Sequence, residues 1–200
     1  MAHSAKFAAV GAVAVAALSG CTSPQAGEAY VVPTAESSAS QNAKASQLPA
    51  RPSELTLQGV DPCALLTPAQ LDQLKVNSKP RPVPASNQGP SCSFDVDLTK
   101  PYYSFGITAV PDELEAWLTG NRRKSSMTTQ PSTVEGFPAL RNFRQSSDPG
   151  DCETLVGVAN AQTMVVQAFP VTQGAFDQQQ LCDLSTQAAT LALRTLKAHG

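Results

Sequence analysis

An unbroken apolar run opens the chain, from Phe7 to Leu18, built largely of Ala and Val and preceded by the single charge of Lys6. From Thr22 to about Gly59 large apolar side chains become sparse among Ala, Ser, Gln and Pro, as in Glu36-Ser37-Ser38-Ala39-Ser40-Gln41-Asn42-Ala43. Such a stretch buries too little surface to offset its ordering entropy. It therefore reads as a flexible tether, and the folded part is expected to begin at Val60.

From there the pattern predicts discrete elements. In Val60-Asp61-Pro62-Cys63-Ala64-Leu65-Leu66, Asp61 caps a helical turn and Pro62 suits its first position. Thr67-Pro68-Ala69-Gln70 has capping-box form and opens a helix carrying Leu71 and Leu74. Lys79 to Pro90 is Pro-rich and reads as a loop. Cys92-Ser93-Phe94-Asp95-Val96-Asp97 alternates, and Tyr102 to Thr108 is rich in strand formers, so the two predict a hairpin. Pro111 to Leu118, with Pro and acids in its first turn, predicts a short helix. Thr119 to Ser132 is polar and reads as a loop. Strands are expected at Leu155–Ala159 and Thr163–Phe169 around an Asn160-Ala161-Gln162 turn, with an earlier one at Ala139–Phe143. Phe176 to Ala198 places Leu181, Leu184, Ala188, Leu191 and Ala192 on one helical face. This order predicts an α+β class, an antiparallel sheet with packed helices that include a long C-terminal one.

The opening run has a further meaning. At about 12 residues it is shorter than the roughly 20 that a membrane-spanning helix needs, and with Lys6 before it forms the n-region and h-region of a secretory signal. Leu18-Ser19-Gly20-Cys21 then resembles the bacterial lipobox. In that signal the Cys21 thiol receives a diacylglyceryl group and cleavage follows Gly20, with small residues giving access. Each buried acyl methylene contributes about 0.8 kcal/mol, so two or more chains make a stable anchor. Residues 1–20 are thus expected to be removed, 21–59 to form the tether, and 60–200 the domain, on the extracytoplasmic face of the cell membrane. A free tether of about 40 residues has an end-to-end distance of roughly 35 Å.

Setting Cys21 aside leaves Cys63, Cys92, Cys152 and Cys182, an even set outside the cytoplasm, where disulfides form. Three connectivities are open. Cys63–Cys92 with Cys152–Cys182 is the favoured one, because each pair joins a helix start to a nearby strand and closes a loop of about 30 residues, worth roughly 3–4 kcal/mol. No CxxC or Cys/His spacing suggests metal or redox chemistry. The net charge of −2 lacks the basic footprint of a nucleic-acid binder.

Asp61-Pro62-Cys63-Ala64-Leu65-Leu66-Thr67, Cys92-Ser93-Phe94, Gly136-Phe137-Pro138-Ala139-Leu140, Cys152 in a strand and Cys182 opening the last helix occur in an order that, with the lipobox, resembles small actinobacterial lipoproteins of the domain of unknown function 3558 family. The resemblance spans about Val60 to Leu196. It implies an exported lipoprotein and a cysteine framework, and no catalytic residues.

Candidate chemistry is sparse. His3 lies in the signal and His199 at the helix end, where a cation is favourable. A Ser-His-Asp triad, a Cys-His pair or His-ligated zinc is therefore not expected. Asp95 and Asp97 share a face of a predicted strand, the pattern of either a carboxylate pair or a solvated sheet face. Arg122-Arg123-Lys124 forms a basic run suited to lipid phosphates or acidic wall polymers, and Trp117 to stacking on a sugar or packing with Leu114 and Leu118. The sequence thus points to a non-catalytic, membrane-anchored domain that binds an envelope protein, wall polymer or lipid and needs no cofactor. A carboxylate-dependent envelope hydrolase and a structural or assembly factor are the alternatives. Oligomeric state is not specified.

Overall fold

The computed structural model describes residues 48–86 and 88–199. The expected signal segment with His3, the lipidation candidate Cys21 and the expected tether up to residue 47 lie outside the described residues.

Among these residues seven strands form one antiparallel sheet in the order β1-β2-β3-β7-β6-β5-β4. Here β1 is Arg81–Ser86, β2 Gly89–Val96, β3 Tyr103–Val110, β4 Thr128–Val134, β5 Phe137–Phe143, β6 Cys152–Ala159 and β7 Gln162–Pro170. Two meanders, β1–β3 and β4–β7, join where β3 pairs with β7. The predicted hairpin Cys92–Thr108 is the β2–β3 pair, Phe94 opposite Phe105.

Side chains alternate along each strand, so one face of the sheet collects Cys92, Phe94 and Val96 from β2, Tyr103, Phe105, Ile107 and Ala109 from β3, Val156 and Val158 from β6, and Met164, Val166 and Ala168 from β7. The long helix α2, Gln178–His199, crosses β6 and β7 on this face. Small residues Ala188, Ala189 and Ala192 are fully buried in its contact stripe and let its backbone approach the sheet. The Ser185 and Thr154 hydroxyls, 2.8 Å apart in that interface, satisfy each other. Asp177 caps the helix, accepting from the Gln180 amide at 2.8 Å.

The expected helices reduce mainly to α2. The Pro68–Gln73 helix, α1, has the predicted capping box between Thr67 and Gln70. Gln70 also donates to the Leu191 carbonyl at 2.9 Å and accepts from Thr195 at 2.9 Å, which fastens α1 to α2. Pro62–Ala64 and Leu114–Trp117 are 3-10 turns, the first capped by Asp61 as expected. The protein is thus mostly sheet with few helices.

Both favoured disulfides are formed. Cys63–Cys92 ties the Pro62–Ala64 turn to β2, and Cys152–Cys182 ties the start of β6 to the first turn of α2.

Three expectations change. The folded region begins before Val60: Leu55 and Leu57 are buried in the main core, the Leu55 amide donates to the Val158 carbonyl at 2.9 Å, and Leu48 packs against the second core. The Pro-rich segment Lys79–Pro90 contains β1, and the polar segment Thr119–Ser132 contains most of β4. Both are edge strands, whose outer side makes no ladder, so Pro82, Pro84 and Pro131 are tolerated there.

Candidate functional site

One end of the sheet's second face carries the Leu114–Trp117 turn. There Leu114 and Trp117 pack with Val110, Leu140, Leu155 and Val165 in a separate core. The register sets the rest of that face. Arg81 lies opposite Ser93, Ser93 opposite Gly106, Gly106 opposite Gln167, Gln167 opposite Glu153, Glu153 opposite Asn142 and Asn142 opposite Thr129. One polar row therefore crosses all seven strands. At its middle, a Cβ added to Gly106 would meet nothing within 4 Å, so the row is unobstructed there.

Glu153 is the one acid of the row. Burial raises its carboxyl above the usual range, with the charge of Asp151 adding to the effect and the Asn142 hydrogen bond and Lys124 charge opposing it. The Asn142 amide donates to Glu153 Oε2 at 2.6 Å, and the Thr129 hydroxyl donates to Asn142 Oδ1 at 2.9 Å. This relay fixes the Asn142 orientation. Beside it, Gln167 donates to Asp151.

The loop after Leu114–Trp117 borders the row. Trp117 is 7% exposed and belongs to the second core. Arg122 lies 5.6 Å from its ring centroid and pairs with Asp112 at 2.7 Å, so it serves as a brace across the ring. Arg123 and Lys124 are exposed and take part in no ion pair among the described residues. A cavity of about 180 Å³ is lined by Trp117, Asn121, Arg122, Lys124, Asn142 and Glu153, with Gln88 and Val165 completing it. The structure thus brings Trp117, Arg122 and Lys124 of the sequence candidates to Glu153 and Asn142, which sequence reasoning missed. Arg123 turns to a neighbouring hollow.

Asp95 and Asp97 do not form a pair on one strand. Asp95 lies on β2 beyond the start of β1, 3.3 Å from Arg81, and accepts from Ser93 at 2.9 Å. Although burial raises its carboxyl, the hydrogen bonds from Ser104 and Ser93 and the Arg81 contact together hold it below the usual range. β2 ends at Val96, and Asp97 is exposed beyond it.

A larger cleft of about 540 Å³ lies on the helix side, among Gln130, Arg141, Phe143, Gln178 and Cys182. Its unpartnered polar atoms, Arg141 Nε and Gln178 Oε1, are sealed from solvent, so a ligand in the cleft does not reach them. Among the described residues no group of three or more His, Cys, Asp or Glu could hold a metal ion, and no helix is long and apolar enough to cross a membrane.

Fold and site together define a small disulfide-stapled α+β domain whose antiparallel sheet has one helix-packed face and one face crossed by a polar row. Over residues 16–195 the sequence matches the family model described as "Protein of unknown function (DUF3558)", and the chain belongs to that family. No curated protein and no solved structure matches it.

Proposed function

We propose that this protein is exported, lipid-anchored through Cys21 at the extracytoplasmic face of the membrane, and acts there as a non-catalytic binding domain for another envelope component. The observation that carries the binding role is the polar row from Arg81 to Thr129, which crosses all seven strands on the face opposite α2. Sheets with one solvated face are common. A largely buried carboxyl relayed through Asn142 to Thr129, beside a loop that exposes Arg123 and Lys124, is a more specific arrangement. The lipobox Leu18-Ser19-Gly20-Cys21 supports the anchor.

Cross-linking the native lipoprotein in its own membrane is expected to capture one envelope component reproducibly. Recovery of none, over repeated trials with lysine- and carboxyl-reactive reagents, sinks the binding role. The anchor has its own test. Cys21→Ala is expected to leave the membrane fraction or to retain its signal, and unchanged size and partitioning would refute it.

The hydrolase alternative moves from Asp95 and Asp97 to Glu153, whose carboxyl burial raises in the direction a general acid requires. A glycan- or ester-hydrolysing activity abolished by Glu153→Gln in a folded protein would replace the non-catalytic reading.

A further inference from the structure

Two hollows flank the loop after Trp117, and they share Trp117 and Lys124. The first is the cavity of about 180 Å³ at Glu153 and Asn142. The second, about 200 Å³, is lined by Arg123, Lys124, Ser125, Met127, Thr129 and Pro131 with Trp117 and Leu118. The Thr129–Asn142 hydrogen bond of 2.9 Å links their walls.

Their size limits what they hold. Pockets that enclose a whole small ligand measure roughly 300–1,000 Å³. Each hollow is smaller, so each takes one unit of a longer ligand lying across the loop and onto the polar row.

Their chemistry differs. Around Glu153 the lining offers a carboxyl, the amides of Asn121 and Asn142 and the Lys124 ammonium, a mixture of donors and acceptors suited to hydroxyl groups. The second hollow has no carboxylate among its lining residues, and its two cations have no ion pair among the described residues. It suits an anion. We propose that this surface binds an acidic oligosaccharide, with sugar hydroxyls held at Asn142 and Glu153 and a carboxylate or phosphate on the next unit held by Arg123 and Lys124. The inference rests on the binding-domain reading and names the ligand class for it.

The test is calorimetric titration of the detergent-solubilised lipoprotein with tetragalacturonate, a poly(glycerol phosphate) and neutral maltotetraose. Saturable binding of tetragalacturonate is expected, with maltotetraose weaker by about ten-fold or more, the cost of a lost charge-assisted hydrogen bond. The double substitution Arg123→Ala and Lys124→Ala should remove that preference, and Glu153→Gln or Asn142→Ala should weaken the saccharides. Arg123 and Lys124 are exposed, so their removal is expected to leave the melting temperature unchanged. If a phosphate-bearing sugar is the source of charge, poly(glycerol phosphate) binds and also loses affinity with the double substitution. Binding of poly(glycerol phosphate) that is indifferent to Glu153 and Asn142 reports charge alone and overturns the saccharide assignment, as does failure of both acidic probes to saturate. Envelope cross-linking that persists in the double variant would leave the binding role standing and place its site elsewhere.

Discussion

Glu153 holds its proton more tightly in the folded chain than in the unfolded one, because burial withdraws water from the carboxylate. The sign for stability follows from linkage. Below the unfolded-state value both states are protonated and the residue contributes fully, and as pH rises through the raised folded value that contribution is lost. Glu153→Gln removes the dependence. The variant is expected to gain melting temperature over the natural protein as pH is raised from about 4 to about 7.5. Parallel curves for the two proteins would contradict it. Asp95 and Glu135 behave in the opposite sense, Glu135 being held low by hydrogen bonds from Arg194 and Lys197 of α2, so acid weakens their contributions. A backbone constraint acts at Gly89, where φ is +124° and an added Cβ would collide with the Ala109 carbonyl. Gly89→Ala is expected to cost more than about 1 kcal/mol in urea unfolding. A neutral result would mean that the β1–β2 connection adjusts freely.

At the scale of elements, the segment around Leu55 separates two views of the chain. In a free tether Leu55→Ala changes nothing, whereas a leucine buried in the main core costs about 2–5 kcal/mol when truncated. Equilibrium unfolding distinguishes the two, and the larger loss is expected. Leu55-Thr56-Leu57 was hard to recognise because its alternation lasts three residues and its flanks are polar. The interior strands were legible for the opposite reason. β6 and β7 are apolar over most of their length because both sheet faces are covered where Leu114 and Trp117 pack. The strands that sequence reasoning took for loops, β1 and β4, are the two edges, where half the backbone groups need no partner and prolines interrupt the pattern. The site was legible to the same degree. Trp117 to Lys124 announces itself as a basic run beside an aromatic residue, while Glu153 and Asn142 are single polar residues on different strands, adjacent only through the β5–β6 register.

For the molecule as a whole, the two disulfides close loops of 29 and 30 residues. Each is worth about 3–4 kcal/mol in the chain-entropy model, against a net stability of about 5–15 kcal/mol for a typical domain. Replacing both cysteines of either pair with serine is expected to lower the unfolding free energy by about 3–4 kcal/mol, read from denaturant titration. Full reduction should leave the domain marginal or unfolded at 37 °C, and a reduced protein that kept its denaturation midpoint would show that the core alone suffices.

Prolines stand on both outermost strands, Pro82 and Pro84 on β1 and Pro131 on β4, and each removes a donor that a neighbouring molecule's strand would need. Confinement to a membrane surface would crowd copies of this domain side by side, the setting in which bare sheet margins zip into fibrils. On the lipid-anchored reading proposed above, the proline margins would keep densely displayed copies from pairing edge to edge.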